Sequence, residues 1–574
     1  MDKVSKKNKM IAKRIEILKK KFKKYNIDGY IVPKNDEFFS EYAVKDRLKI
    51  ISNFGGSAGL AIILKNSNYL FVDGRYTIQA KQQSGNKFKI LESHNYLPKD
   101  IIKKIKLGFD PSLFTKKNLD LNFGDLSKLI PIKDNLIDKI YQKKNPKRKL
   151  FYSLNTESVG ESHNSKINKI SKLLKQKKAD YLFISAPENV AWLMNIRGKD
   201  SPTSPIPNCR LLINKNKKIF LIVEEKIVSK IIKENRLKKN QIINPKKLEN
   251  LIKTLSGNRF IIDALTCSIL NENIIKSRFK IIEREDPCYK LKSIKNSIEL
   301  KNTVKAHIED GLALTKFIYW IKNVNKKKIT EIDAKNKLQK FRRLNKNYLY
   351  PSFDTISGTG SNGAIVHYRV SKKSNKIINK NHLFLCDSGG QYKYGTTDVT
   401  RTICFSNPKN TIKDIYTKVL KGHIAVFQTD LKKDNIGKKI DLRARKFLKK
   451  DGLDYEHGTG HGVGFFLNVH EGPQSISKFN SVKLKEGMIL SNEPGFYKKN
   501  QYGIRIENLI FIKKNKQNLY FENLTLAPIE KDLINYNLLT KNEKDYLFKY
   551  HLKIYTTYSK FLNFKERNWL ASLI

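Results

Sequence analysis

Acidic residues are scarce in this chain. Only 54 Asp and Glu stand against 113 Lys and Arg in 574 residues, giving a formal charge of +59 and a pI near 9.9. Such a balance invites a nucleic-acid or membrane-surface reading. The basic excess, however, is spread over the whole chain among abundant Asn and Ile, the pattern of an AT-rich coding genome. It forms neither an arm nor a groove interleaved with aromatics, so no specific nucleic-acid partner is expected. Runs such as Lys143–Lys149 read as solvated loops. Cysteine is also sparse. Cys209, Cys267, Cys288, Cys386 and Cys404 are odd in number and contain no C-x-x-C pair. This favours a reducing cytoplasm. No stretch reaches the roughly eighteen apolar residues of a membrane-spanning helix. The first residues lack the apolar core of a secretory signal. Ile11, Ile15, Leu18 and Phe22 instead recur at helical spacing between lysines, which predicts an amphipathic helix. The shortage of acidic residues there leaves an organelle transit role open. No solenoid period is visible.

What is present is enough for about three domains. The first, 1–151, mixes the initial helix with apolar strands such as YIVP, LAIILK and YLFVD. The second, 152–291, repeats that texture in DYLFIS, RLLINKNKKIFLIV and RFIIDAL. The two look like a weak internal duplication. A long amphipathic helix beginning at SIKNSIELKNTVKAH opens the third domain, 292–574, whose C-terminal segment is 522–574.

Four acidic residues and one histidine of the third domain suggest a paired-metal site: Asp387, Asp398, His461, Glu493 and Glu507. Four carboxylates cancel the charge of two divalent ions, and one imidazole helps set geometry. HLFLCDSGGQY (His382 to Tyr392) is an apolar strand that breaks into glycine after Asp387, and GTTDVTRTICF is a second, β-branched strand around Asp398. A hairpin turn between Gly390 and Gly395 would set the two aspartates directly opposite, with Cβ atoms about 5 Å apart. EHGTGHGVG carries His457 and His461 four apart, but its glycines forbid the helix of a zincin motif. SNEPGFY puts Glu493 before a Pro-Gly turn. YGIRIENLIFI alternates as one strand with Arg505 and Glu507 on the same face. Taken singly, each segment has an ordinary reading as turn, loop or strand.

In this order, with YPSFDTISGTGSNGAIVHY (Tyr350 to Tyr368) ahead of them and LNVHEGP (Leu467 to Pro473) among them, the segments closely resemble the pita-bread-fold metallopeptidases, in their aminopeptidase P branch. The resemblance covers essentially the whole chain. DRLKIISNFGGSAGLAII and FVDGRYTIQA are similar to that family's first domain, and APENVAWLMNIRGKDSPTSP to its second. The C-terminal stretch from LTLAPIEKD onward is similar to the end of its long, three-domain form.

The resemblance implies two creatinase-like N-terminal αβ domains followed by a pita-bread catalytic domain, an α/β and α+β architecture. It implies that Asp387 binds one metal, that Asp398 and Glu507 bridge both, and that His461 and Glu493 complete the other. Two Mn2+ ions are expected, with Zn2+ or Co2+ as alternatives. The implied reaction is removal of the N-terminal residue from peptides with proline second, by a solvent molecule acidified between the metals, with Glu493 as the general base that turns general acid. His367 and His470 match histidines that bind the substrate and its tetrahedral intermediate. His457 matches a position on the proline side of the pocket, against a plainer reading as a loop hydrogen-bonder. Arg505 would contact substrate or orient Glu507, the second being favoured. Relatives of this length are commonly homodimers, so a dimer is expected. His94, His163, His307, His382, His423 and His551 fall outside the matching site segments and read as surface or core residues. Tyr394 stands where the family commonly has an aspartate; at a hairpin tip this should leave metal binding intact. A prolidase, which cuts Xaa-Pro dipeptides, is the alternative function, but it usually has one N-terminal domain. A creatinase-like hydrolase or a binding protein on the same fold is disfavoured by the intact donor set, and a methionine aminopeptidase by the preceding domains.

Overall fold

The computed structural model describes residues 3–41, 43–141, 148–325 and 328–574. Most of the basic run Lys143–Lys149, residues 143–147, lies outside them. The chain falls into two compact units: Met1–Asn155 with Glu161–Cys288, and Thr156–Gly160 with Tyr289–Ile574.

The first unit contains two six-stranded mixed sheets. One runs, edge to edge, Lys89–Glu92, Asn68–Val72, Leu60–Leu64, Gly29–Pro33, Lys106–Phe109 and Lys128–Pro131. The other runs Ile242–Ile243, Ile219–Ile222, Arg210–Asn214, Tyr181–Ile184, Arg259–Ile262 and Lys280–Glu283. Both have the same pattern: antiparallel pairing among the second, third and fourth strands, parallel pairing elsewhere. The duplication suspected from the sequence is thus a duplication of topology. Central strands such as GYIVP and YLFI are buried throughout because packing covers both faces. In the first sheet Tyr30 and Val32 pack on one side with Ile11, Ile15 and Leu18 of the helix Lys3–Lys20, while Ile31 packs on the other with Phe109 and Phe114. The spacing of apolar residues in that lysine-rich helix therefore does place one stripe in a core.

The second unit opens with the helix Ser297–Asn323. Its start is fixed by the Asn296 side chain, which accepts from the amides of Ile298 and Glu299, while Glu299 reaches back to the Asn296 amide. A second helix, Glu331–Arg343, precedes a sheet of Ile356–Thr359, Phe384–Ser388 and Val399–Ile403. A second sheet joins Ile489–Asn492, Asn508–Asn515 and Asn518–Asn523, and a ribbon pairs Gly495–Lys498 with Tyr502–Arg505.

Two expectations about strands need correction. Asp387 pairs with Thr400 instead of Asp398, because the loop centres on Lys393 and Tyr394, between the paired residues Tyr392 and Gly395. That is a slip of two residues along one strand. Since side chains alternate with period two, the slip keeps Asp387 and Asp398 on one face as diagonal neighbours. The segment YGIRIENLIFI is two strands, not one. Pairing stops after Arg505 and restarts at Asn508, and between them the Glu507 amide donates to the Thr400 carbonyl at 3.1 Å.

Candidate metal centre

Each of the five donors stands at the end of a strand or just beyond one, where the backbone is fixed on one side and the side chain projects past the ladder. Asp387 is the penultimate residue of Phe384–Ser388, Asp398 precedes Val399–Ile403, and Glu493 follows Ile489–Asn492. His461 ends the short strand Gly460–His461. Donor atoms of Asp387, Asp398 and Glu507 lie within 4.8 Å of one another, as do those of His461, Glu493 and Glu507, and those of Asp398, His461 and His470. Two triads that share Glu507 leave room for two ions side by side.

Hydrogen bonding fixes how the donors point. His461 Nδ1 is 3.0 Å from the Gly462 carbonyl, which can only accept, so Nδ1 carries the proton. Nε2 then offers its lone pair, 3.5 Å from Asp398 Oδ2 and 3.4 Å from Glu493 Oε1. The Ser491 hydroxyl donates to Glu493 at 3.1 Å and accepts from the His461 amide at 2.9 Å, tying two donors to one side chain. The Thr400 hydroxyl donates to Glu507 Oε2 at 2.6 Å. Arg505 Nη2 donates to Asp387 Oδ2 at 2.6 Å, and its Nε bonds the Thr400 hydroxyl at 3.1 Å.

Charge explains why this arrangement wants cations. Four carboxylates meet one guanidinium. Burial, and then the neighbouring carboxylates Asp398, Glu493 and Asp387, push the Glu507 carboxyl far above the usual carboxylate range. Burial likewise pushes Asp398 up to about 6. Asp387 Oδ1 and Asp398 Oδ1 are buried with no hydrogen-bond partner. An orphaned buried carboxylate oxygen is costly, and ligation relieves that cost. The donor set of oxygens with one imidazole nitrogen therefore fits a pair of divalent ions. Another group of donors, Cys404, Glu530 and Asp532, differs: Lys322 Nζ donates to Glu530 at 2.7 Å and to Asp532 at 2.9 Å, so a resident ammonium already neutralises it.

The remaining candidates lie around this core. The ring of His470 meets that of His461 edge-on, with centroids 4.3 Å apart. His367 is half-buried and follows Val366, whose carbonyl accepts from Arg505 Nη2 at 3.4 Å. His457 Nδ1 donates to the Gly458 carbonyl at 2.8 Å, and Nε2 lies 2.8 Å from the Tyr497 hydroxyl. That hydroxyl also receives a hydrogen bond from Arg505 Nη1. Thus Arg505 reaches Asp387 directly, and Glu507 only through Thr400. Tyr394 sits away from the donors, its ring against Phe466. Of the histidines set aside, His307, His423 and His551 are buried, while His94 and His382 are exposed.

Sequence reading missed several supporting residues. Ser491, Thr400 and Tyr497 lie within the quoted segments, but nothing in their spacing announces a hydrogen bond to a donor. His423 lies far away in sequence, on the helix Asn410–Phe427. Its Nδ1 is 3.1 Å from the Asn492 carbonyl, and the Asn492 amide returns a bond to the His423 carbonyl at 2.9 Å, bracing the residue before Glu493. Arg401 is buried and donates to the Glu507 carbonyl at 2.6 Å.

Comparison with known proteins agrees with this geometry along the whole chain. Residues 301–514 match Metallopeptidase family M24, and residues 517–573 match the C-terminal region of peptidase M24. Residues 14–140 and 142–299 each match a Creatinase/Prolidase N-terminal domain. The chain is 35% identical to Xaa-Pro aminopeptidase 1 of Dictyostelium discoideum, covering 98% of this chain and 96% of that one. Among solved structures it is similar to X-prolyl aminopeptidase of Caenorhabditis elegans, described as a cytosolic enzyme with a di-nuclear active site. Identity is 29%, with TM-score 0.89, over 98% of this chain and 99% of that one. The prolidase of Pyrococcus horikoshii OT3 is 26% identical with TM-score 0.51, and covers 64% of this chain with 99% of its own.

Proposed function

Because the chain belongs to metallopeptidase family M24 and carries creatinase/prolidase N-terminal domains ahead of its catalytic domain, we propose that it is a metal-dependent Xaa-Pro aminopeptidase. It releases the first residue from peptides with proline in the second position. The observation that carries this reading is agreement with an X-prolyl aminopeptidase over 98% of the chain, joined to two donor triads that share Glu507. The prolidase alternative is weaker, since that neighbour covers 64% of the chain and leaves about a third without a counterpart.

In this reading Asp387 would hold one ion, Asp398 and Glu507 would hold both, and His461 with Glu493 would complete the second. Manganese is the metal assigned, because carboxylate oxygens dominate the donor set; zinc and cobalt are the alternatives. When bound, two such ions would supply Lewis acidity toward the scissile carbonyl and would lower the pKa of a solvent molecule enough for it to serve as nucleophile near neutral pH. Glu493 takes the proton that the attacking water gives up on its carboxylate, steadied by the Ser491 hydroxyl, and returns it to the leaving nitrogen. That nitrogen belongs to proline, so it has no hydrogen of its own in the peptide and cannot leave without one. His367 and His470 donate to the substrate carbonyl and to the oxyanion that develops from it. His457 lines the proline side of the pocket, oriented by Tyr497. The bonds of Arg505 to Asp387, Thr400 and Tyr497 support a positioning role, with contact to substrate as its second task.

The proposal extends to the whole protein. Its domains divide at about residues 151 and 291, its partners are peptides beginning Xaa-Pro, and it works in the cytoplasm as a homodimer. Among the described residues no helix is long and apolar enough to cross a membrane. All five cysteines are buried.

The test couples metal analysis to a peptide panel in which the second residue is proline or alanine and the length runs from two to five. Two equivalents of metal are expected, with turnover of Xaa-Pro tripeptides and longer peptides and little with alanine. Turnover confined to dipeptides would favour a prolidase, and turnover by metal-stripped protein would overturn the reading.

A further inference from the structure

A buried ion pair away from the donors holds the residues beside both aspartates. Arg342, the penultimate residue of the helix Glu331–Arg343, donates from Nε to Asp310 Oδ1 at 2.7 Å and from Nη2 to Asp310 Oδ2 at 3.2 Å. Asp310 lies in the helix Ser297–Asn323, and both residues are buried. Two further bonds leave the pair. Arg342 Nη2 donates to the Ser388 hydroxyl at 3.1 Å, and Asp310 Oδ2 accepts from the Thr397 hydroxyl at 3.0 Å. Ser388 follows Asp387, and Thr397 precedes Asp398.

The backbone at this point leaves no slack. A Cβ on Gly389 would come within 1.9 Å of the Thr397 carbonyl oxygen and 2.2 Å of Ser352 Oγ, so the two chain segments touch through backbone. The Gly390 amide donates to Thr397 Oγ1 at 2.9 Å, and the Thr397 amide donates to the Gly390 carbonyl at 2.9 Å. Ion pairs buried this deeply contribute little net stability, because losing water costs each charge about what the partner returns; their better-attested use is to fix geometry. Arg342 fits that description, since its Nη1 is buried with no hydrogen-bond partner.

We propose that the Asp310–Arg342 pair is a positioning device that sets the separation of Asp387 and Asp398 by holding Ser388 and Thr397. Neither charged residue touches substrate or metal. They act through the two hydroxyls on the residues beside the donors. The inference rests on the reading of Asp387 and Asp398 as ligands.

The test titrates Mn2+ calorimetrically into metal-stripped full-length protein and follows thermal unfolding of the same samples. Ser388→Ala with Thr397→Val leaves the ion pair in place and removes both grips, along with the acceptor of the Gly390 amide, whereas Ser388→Ala alone removes one grip and keeps that acceptor. Its affinity for Mn2+ should fall by about tenfold to a hundredfold, the usual cost of losing support behind a ligand. Each single variant should show a smaller loss, and they serve if the double variant does not fold. Tyr392→Phe is the control: it removes a 2.7 Å bond to Asp310 Oδ1 without touching either aspartate's neighbour, and should leave the affinity unchanged. If all variants lower the unfolding temperature alike and none changes the affinity, the role is structural and the proposal fails. Unaltered protein that takes up no Mn2+ sinks the ligand reading and this inference together, whereas tight uptake unmoved by the variants sinks this inference alone.

Discussion

Asp398 and Glu507 stand in an environment that raises both carboxyls, through burial first and crowding by like charges second. Under the proposed reading such a group is held in place for a cation, since a buried carboxylate without a partner is disfavoured by several kcal/mol. Asp398→Ala should therefore abolish metal uptake and turnover together. Metal content measured on the purified variant, beside its rate on an Xaa-Pro tripeptide, checks this; retained activity with an empty site would contradict it. Tyr497 offers a milder test. Its hydroxyl lies between His457 Nε2 and Arg505 Nη1, so Tyr497→Phe removes two bonds to charged or site groups at once. A loss of about 1–3 kcal/mol in transition-state stabilisation is expected, read from kcat/KM with the metal content unchanged.

At the scale of elements, the C-terminal helix Lys541–Tyr558 is tied to the site through Arg401. The Tyr550 hydroxyl accepts from Arg401 Nη2 at 3.1 Å and from the Ala527 amide at 3.2 Å, while Arg401 Nη1 donates to the Glu507 carbonyl. Trp569 packs against the Tyr319 ring and Leu570 is fully buried, so the apolar end of the chain docks on its own unit. Tyr550→Phe should cost about 1–3 kcal/mol of stability, measured by denaturant unfolding, because it strands the buried Ala527 amide. His551, next along, accepts from the Ile529 amide through Nε2 at 3.2 Å, and burial with the nearby Arg401 charge brings its pKa down from 6.5 to about 4. The unfolded chain takes up the proton first. The contribution of His551 is thus complete above pH 6.5 and drains away as the pH falls towards 4, by up to about 1.4 kcal/mol per pH unit. His551→Gln should flatten that part of the curve of unfolding temperature against pH.

Across the whole molecule, the +59 charge is a property of the surface and not of the site. Retention on RNA should fall steeply between 50 and 200 mM salt, as phosphate contacts lose their counterion-release advantage. Turnover of Xaa-Pro peptides should be nearly unaffected over the same range, because the proposed chemistry depends on buried groups. A sedimentation measurement giving twice the 66.6 kDa chain mass would support the proposed homodimer.

The sequence by itself singled out Asp387, Asp398, His461, Glu493 and Glu507 as candidate donors, and determined the lysine-rich amphipathic helix and the repeated αβ texture of the first two domains. These were legible because residue type and period-two or period-3.6 patterning are local, and local chemistry survives in the order of letters. Only the tertiary structure decided the register that pairs Asp387 with Thr400, the break that frees Glu507, and the bracing by Ser491, His423, Arg401 and the Asp310–Arg342 pair. Each of those depends on the centre of a turn or on groups brought together from distant parts of the chain. A hydrogen bond between such groups has no signature in either sequence neighbourhood, because the energy that selects it is gained only when the surrounding water has gone.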